Sequence, residues 1–120
     1  MDSVVLFEEI RSVDGGLVGI ATLNSERTLN ALTLQMVDLL YTKMLEWQAN
    51  TEISQVVIRG QGPRAFCAGG DVQKLYRSIV PPGQKDSVER NYCDIFFERE
   101  YRLDYLIHTY NKPVVCIGHG

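Results

Sequence analysis

Arg64-Ala65-Phe66-Cys67-Ala68-Gly69-Gly70-Asp71-Val72 is the stretch on which the reading of this chain turns. Upstream lies an apolar strand pattern, Ile53 to Arg59, and downstream a short helical pattern, Val72 to Ile79. A strand that stops at small residues and opens into a helix leaves backbone N–H groups without intrachain partners. Such groups suit an anion or a developing oxyanion, and small side chains let a carbonyl approach the main chain. Taken alone, the turn reads first as ordinary punctuation, because glycine turns between elements are common. Asp71 reads as the N-cap of the next helix before it reads as an acid or base.

Outward from this stretch, the pattern alternates strands and helices. Val4 to Ile10 and Leu17 to Leu23 are strand candidates joined by the turn signal Asp14-Gly15-Gly16, so they form a hairpin. Asn24 to Asn30 is polar and loop-like, with Arg27 as its exposed cation. Thr33 is placed to cap a helix whose Met36, Val37, Leu40, Met44 and Trp47 recur at three- and four-residue steps. Val56-Val57-Ile58 has the look of a strand buried on both faces. Val80-Pro81-Pro82-Gly83 breaks the pattern as a connector. A long helix is expected from about Ser87 to Tyr110, with Val88, Tyr92, Ile95, Phe96, Leu103, Leu106, Ile107 and Tyr110 as its main stripe. Phe97 and Tyr101 fall on the opposite side, so this helix expects neighbours on both. Lys112-Pro113 ends it, and Val114 to Ile117 reads as a buried strand leading into Gly118-His119-Gly120.

The bulk composition excludes several classes. The chain has 120 residues, is 45% hydrophobic and 22% charged, and carries a formal net charge of -3. That composition is ordinary for a folded domain, and no basic stripe marks a nucleic-acid partner. No apolar run approaches a membrane span. The N-terminus has neither a signal-peptide core nor an Arg/Ser-rich leader pattern, which gives a cytoplasmic expectation. Cys67, Cys93 and Cys116 are widely spaced and apolar in context, so they read as reduced thiols rather than a disulfide frame or zinc site.

Few side chains suggest chemistry. Glu98 and Glu100 lie on the long helix, Glu100 about 80° from the centre of its stripe at roughly 100° per residue. An edge position can turn a carboxylate into a cleft, where burial would raise its pKa. By itself this pattern favours a solvated carboxylate, and Asp104 has a weaker case of the same kind. His108 suits the last turn of a helix better than catalysis, and His119 sits between two glycines after a strand. No H-E-x-x-H, G-x-S-x-G, P-loop or G-x-G-x-x-G pattern occurs, so no metal ion or nucleotide is expected.

Ser25-Glu26-Arg27-Thr28-Leu29-Asn30-Ala31-Leu32 and the Thr33 helix resemble the N-terminal signature of the crotonase superfamily, the enoyl-CoA hydratase/isomerase-like proteins. Arg64 to Val72 resembles the first oxyanion-hole segment of that family. Phe96-Phe97-Glu98-Arg99-Glu100-Tyr101-Arg102-Leu103 and Lys112-Pro113-Val114-Val115 look most like its 3-hydroxyisobutyryl-CoA hydrolase branch. The resemblance runs over essentially the whole chain.

It implies an α/β fold, a crotonase-like spiral of ββα units, of which residues 1–120 would be the N-terminal part of a single domain. It implies a bound CoA thioester with no separate cofactor, coenzyme A being part of the substrate. On this resemblance the Ala68 N–H is one oxyanion donor, and Gly69, Gly70 and Asp71 hold the loop and its helix. Arg27, Thr28 and Leu29 would lie along the CoA moiety, and Glu100 would reach the acyl pocket and a substrate hydroxyl. The second donor and the principal catalytic glutamate and aspartate of such proteins fall after the segment matching Gly118-His119-Gly120. The expectation is therefore a 3-hydroxyisobutyryl-CoA hydrolase of valine breakdown when longer, inactive as residues 1–120. One alternative is a hydratase or isomerase on the same scaffold. Another is a non-catalytic interaction module. Homo-oligomerisation is left open.

Overall fold

The computed structural model describes residues 3–70 and 92–118. The expected helix Val72–Ile79, the connector at Val80-Pro81-Pro82-Gly83, Asp71, Val88 and His119 lie outside the described residues. Strands β1 (Val5–Arg11) and β2 (Leu17–Leu23) form the expected antiparallel hairpin, with Val5 opposite Leu23 and Arg11 opposite Leu17. Its turn is held by the Ser12 N–H to the Gly16 carbonyl at 2.7 Å.

Helix α1 (Leu34–Ala49) follows a short 3-10 turn at Glu26–Thr28. Thr33 caps it as the sequence predicts, its hydroxyl accepting the Met36 N–H at 3.2 Å. The helix then returns to β3 (Ile53–Gly60), which pairs parallel to β2. Helix α2 (Tyr92–His108) crosses over to β4 (Val114–Cys116), parallel to β3, giving the order β1-β2-β3-β4.

Both helices cover one face of this sheet. The core joins Val5, Ala21 and Leu23 to Met36, Val37, Leu40, Met44 and Trp47 of α1, to Ile53, Val56 and Ile58 of β3, and to Phe96, Leu103 and Leu106 of α2. Burying each such aliphatic or aromatic side chain contributes roughly 1.5–3 kcal/mol. Gly19 is required where Trp47 lies on β2, since a Cβ there would sit 2.7 Å from the indole. Two polar contacts lock α2 onto α1. The Arg99 guanidinium meets Asp38 at 2.6 Å, and Arg102 stacks over the Tyr41 ring at 4.0 Å.

The structure corrects three burial expectations. Val57 is only half-buried, because its side of the sheet carries no helix among the described residues. Val114 to Ile117 is not a buried strand: Val115 is 44% and Ile117 50% exposed. β4 is the outermost strand, and only its Val114 side meets the core. The second apolar side of α2 has no cover among the described residues either, leaving Phe97 40% and Tyr101 66% exposed.

Candidate functional site

β2 and β3 run parallel, so their carboxyl ends lie together, with Leu23 opposite Gly60. The loops leaving these ends, residues 24–33 and 61–70, form the candidate site, where open α/β sheets hold ligands. They approach closely because residue 60 is glycine. A Cβ there would be 2.3 Å from the Phe66 carbonyl oxygen and 2.8 Å from Asn30 Nδ2.

Asn30 is the brace between the two loops. Its side chain is completely buried. Nδ2 donates to the Ala65 carbonyl at 2.9 Å and the Gln61 carbonyl at 3.2 Å, while Oδ1 accepts the Ser25 N–H at 2.8 Å. Leu29 and Asn30 both have positive φ, 54° and 55°, which folds the chain back under the 3-10 turn. Asparagine tolerates this conformation better than most residues. Read from the sequence, Asn30 was only a polar loop residue. Its signal was an asparagine two residues after Thr28 and three before a helix cap, but the two carbonyls it donates to lie more than thirty residues away.

A short parallel pairing continues the brace. Ala68 N–H donates to the Leu29 carbonyl at 3.0 Å, and Leu32 N–H donates to the Gly69 carbonyl at 2.6 Å. Leu32 and Gly70 form the register pair. This corrects the expectation for Ala68. Its N–H is already committed to Leu29 and is not an open donor. In a parallel pairing one residue turns its backbone groups toward the neighbour and its register partner turns them away. Leu32 faces inward, so Gly70 directs its N–H to the opposite side. Gly69 makes the change of direction possible with φ of 90°, and its missing Cβ would have met nothing within 4 Å. The Gly69 N–H faces the Cys67 sulfur at 3.3 Å.

The other expected site residues divide by exposure. Arg27 and Thr28 lie on the 3-10 turn, exposed, and Leu29 is half-buried. Thr28 is tied locally, its hydroxyl 2.8 Å from that of Ser25. Glu100 is half-buried on α2, one helical turn from Phe96. Burial, then repulsion from Asp104, raises its pKa above the usual carboxylate range. Burial also raises the Cys67 thiol, and the Glu100 charge raises it further, so the helix carboxylate and the Cys67–Gly70 loop share one electrostatic environment. The site thus joins the 25–32 loop, the 61–70 loop and Glu100. The described residues contain no cluster of three or more potential metal ligands. What the arrangement offers is an outward backbone donor at a glycine turn, with a protonatable carboxyl nearby.

A helix-backed mixed sheet with its site on the loops at parallel strand ends defines an α/β protein of the open-sheet class. The chain belongs to the enoyl-CoA hydratase/isomerase family, the crotonases, whose family model matches residues 18–120. It is 39% identical over 98% of its length to the mitochondrial 3-hydroxyisobutyryl-CoA hydrolase of Danio rerio. It is also 38% identical over 82% of its length to small ribosomal subunit protein mS47 of Neurospora crassa. The crystal structure of an enoyl-CoA hydratase from Rhodobacter sphaeroides superposes with a TM-score of 0.78 at 33% identity, over 98% of this chain. The chain spans 28% of the zebrafish protein, 18% of the Neurospora protein and 32% of the Rhodobacter chain. The fold is crotonase-like, and this chain covers the N-terminal part of its core.

Proposed function

We propose that this chain supplies the CoA-thioester-binding half of a hydrolase acting on a short hydroxyacyl-CoA, 3-hydroxyisobutyryl-CoA of valine breakdown. The observation carrying this reading is the 39% identity to the zebrafish hydrolase across nearly the whole chain. Gly70, rather than Ala68, offers the first backbone N–H to the thioester oxyanion. A single donor of this kind is worth about 3 kcal/mol of transition-state stabilisation. Arg27, Thr28 and Leu29 flank the CoA moiety, and Gly69, Gly70 and Asp71 shape the turn. Glu100 faces the acyl group, where a carboxyl with a raised pKa can donate a hydrogen bond to a substrate hydroxyl. Coenzyme A enters as part of the substrate, and no further cofactor takes part. Water attacks the carbonyl carbon, the tetrahedral oxyanion collapses, and the CoA thiolate leaves and is protonated. The acid and base for these transfers come from the remainder of a full-length protein, so residues 1–120 alone have no turnover.

The test is a chimera in which this chain replaces the matching segment of the zebrafish hydrolase. It should release free thiol from 3-hydroxyisobutyryl-CoA, detected with a thiol reagent. Gly70→Pro, which removes the N–H, should lower kcat by on the order of a hundredfold. Turnover by purified residues 1–120 at the chimera's rate would overturn the division of labour. The second reading, hydration or isomerisation of an unsaturated acyl-CoA, draws support from the name of the matching family. Hydration without thiol release would favour it. The Neurospora relative, named as a ribosomal protein, supports the interaction-module reading. An inert chimera that still folds would favour that one. A cytoplasmic location is proposed beside the mitochondrial one that the zebrafish relative's name carries. Cell fractionation separates the two.

A further inference from the structure

β1 stands at one end of the sheet, and its outer edge adjoins a small aromatic cavity. In an antiparallel pair, residues whose backbone groups bond the neighbour alternate with residues whose groups point away. The Asn24 N–H donates to the Val4 carbonyl at 2.8 Å, and the Ser12 N–H to the Gly16 carbonyl at 2.7 Å. Val4 and Ser12 therefore face β2, as do Leu6, Glu8 and Ile10 between them. Val5, Phe7, Glu9 and Arg11 turn their backbone groups outward. The Val5 N–H meets the Ser3 hydroxyl at 3.4 Å, and no strand pairs with Phe7, Glu9 or Arg11 on that side among the described residues.

The side chains of Phe7 and Glu9 reach toward α1. The Trp47 indole donates to Glu9 Oε1 at 3.0 Å, and the Phe7 ring meets the indole edge-on, 5.8 Å between centroids. The Lys43 ammonium stands 5.4 Å from the Phe7 centroid and 5.9 Å from that of Trp47. With Glu8, these residues line a cavity of about 230 Å³. Lys43 marks where a cation rests against the two rings. Its carboxylate partner is Glu46 at 3.0 Å, on the exposed side of α1, so the ammonium keeps an anchor when it leaves the rings. Glu8 is matched by Arg59 at 2.8 Å, whereas no cation pairs with Glu9 among the described residues.

We propose that the outer edge of β1 accepts an extended segment of a partner protein as an added strand. An arginine of that segment displaces Lys43, stacks on Phe7 and Trp47 and pairs with Glu9. Backbone bonding along Phe7, Glu9 and Arg11 supplies affinity, and the acidic aromatic cavity supplies the choice of side chain. A second copy of the chain is disfavoured, because central antiparallel pairings of two β1 strands set Glu8 or Glu9 opposite or diagonal to its own counterpart. The proposal stands apart from the acyl-CoA reading, since none of these residues belongs to the loops at the strand ends.

The test is fluorescence anisotropy with the labelled peptide Thr-Thr-Val-Arg-Val-Thr-Thr and residues 1–120. The expected result is saturable binding of one peptide per chain, with slowed hydrogen exchange at the Phe7 and Glu9 amides. Citrulline in place of the peptide arginine, which keeps shape and removes charge, should weaken binding about tenfold. N-methylation of the peptide amides that face β1 leaves its charge intact and should abolish binding. On the protein, Glu9→Gln retains an acceptor for the indole and should cost about tenfold, while Glu52→Gln, an exposed carboxylate elsewhere, should cost nothing. Lys43→Ala vacates the rings and should tighten binding about three- to fivefold. Trp47 fluorescence checks that each variant folds, and the two altered peptides test the wild-type chain whatever the variants do. No saturation by about 1 mM peptide would overturn the proposal. So would binding that survives N-methylation, or that is indifferent to both citrulline and Glu9→Gln. A dimer of the chain in light scattering that Glu9→Pro breaks, without peptide binding, would make the occupant a second copy and refute the partner strand.

Discussion

Asn30→Ala should uncouple the two site loops and destabilise the chain by about 3–5 kcal/mol. The side chain is completely buried and makes three hydrogen bonds, two donated to carbonyls and one accepted from the Ser25 N–H. A hydrogen bond contributes roughly 0.5–1.5 kcal/mol net, and a buried partner left unsatisfied raises the loss. Alanine must also hold the positive φ of 55°. For a residue with a Cβ and no local hydrogen bond, that costs about 1 kcal/mol more. Asn30→Gly separates the two contributions, since glycine adopts that conformation freely and loses only the side-chain bonds. Asn30→Asp keeps the acceptor for Ser25 but turns a carboxylate oxygen toward the Gln61 and Ala65 carbonyls. Its stability should improve as pH falls, when a protonated carboxyl can again donate to one of them. Urea unfolding followed by Trp47 fluorescence measures all three, because this single tryptophan is 2% exposed in the core. A loss below about 1 kcal/mol for Asn30→Ala, with an unchanged m-value, would refute the brace.

Three further outcomes follow from named contacts. The raised Glu100 pKa means the folded state binds more protons than the unfolded chain above the ordinary carboxyl value, so stability falls as pH rises through that interval. Glu100→Gln should flatten this part of the pH profile, and Asp104→Asn should lower the Glu100 midpoint in an NMR titration by removing the nearby charge; an unmoved midpoint would contradict the pairing. Thr33→Ala should cost about 1 kcal/mol in the urea assay through loss of the Met36 cap, and Thr33→Ser should retain most of it. Gly60→Ala should cost about 1–3 kcal/mol, since its Cβ would meet the Phe66 backbone rather than a movable side chain; a neutral result would show that the loops tolerate separation.

The hairpin, the capped α1 and the paired β3 were legible in the sequence because each has a local signal. Asp14-Gly15-Gly16 marks the turn, Thr33 the cap, and Met36 to Trp47 the buried stripe. Burial on the outer strands was not legible. An apolar run such as Val114 to Ile117 records that a strand forms but not whether a layer lies over it, and here no layer covers one side among the described residues. The candidate site was half legible. Its glycines announced a backbone donor, but Ala68 and Gly70 cannot be told apart without seeing that Leu29 takes the Ala68 N–H. Asn30 was hidden for the same reason, since its role lies in partners distant along the chain.

The link between α2 and β4 returns to the end of α1 in an unusual way. Tyr110 donates its hydroxyl to the Met44 carbonyl at 2.6 Å, and the Lys112 ammonium donates to the carbonyls of Trp47 and Asn50. Burial pushes the Tyr110 phenol up to about 12. Lys112 thereby meets carbonyls at the carboxyl end of α1, where a helix leaves its last acceptors open, while Tyr110 adds a bond to a carbonyl about one turn earlier. The carboxyl end of one helix and the entry to the outermost strand are therefore fastened by the same two side chains. In amide hydrogen exchange the last turn of α1 and the β4 amides should open as one unit, so that Lys112→Ala speeds exchange in both while the β1–β2 hairpin keeps its protection.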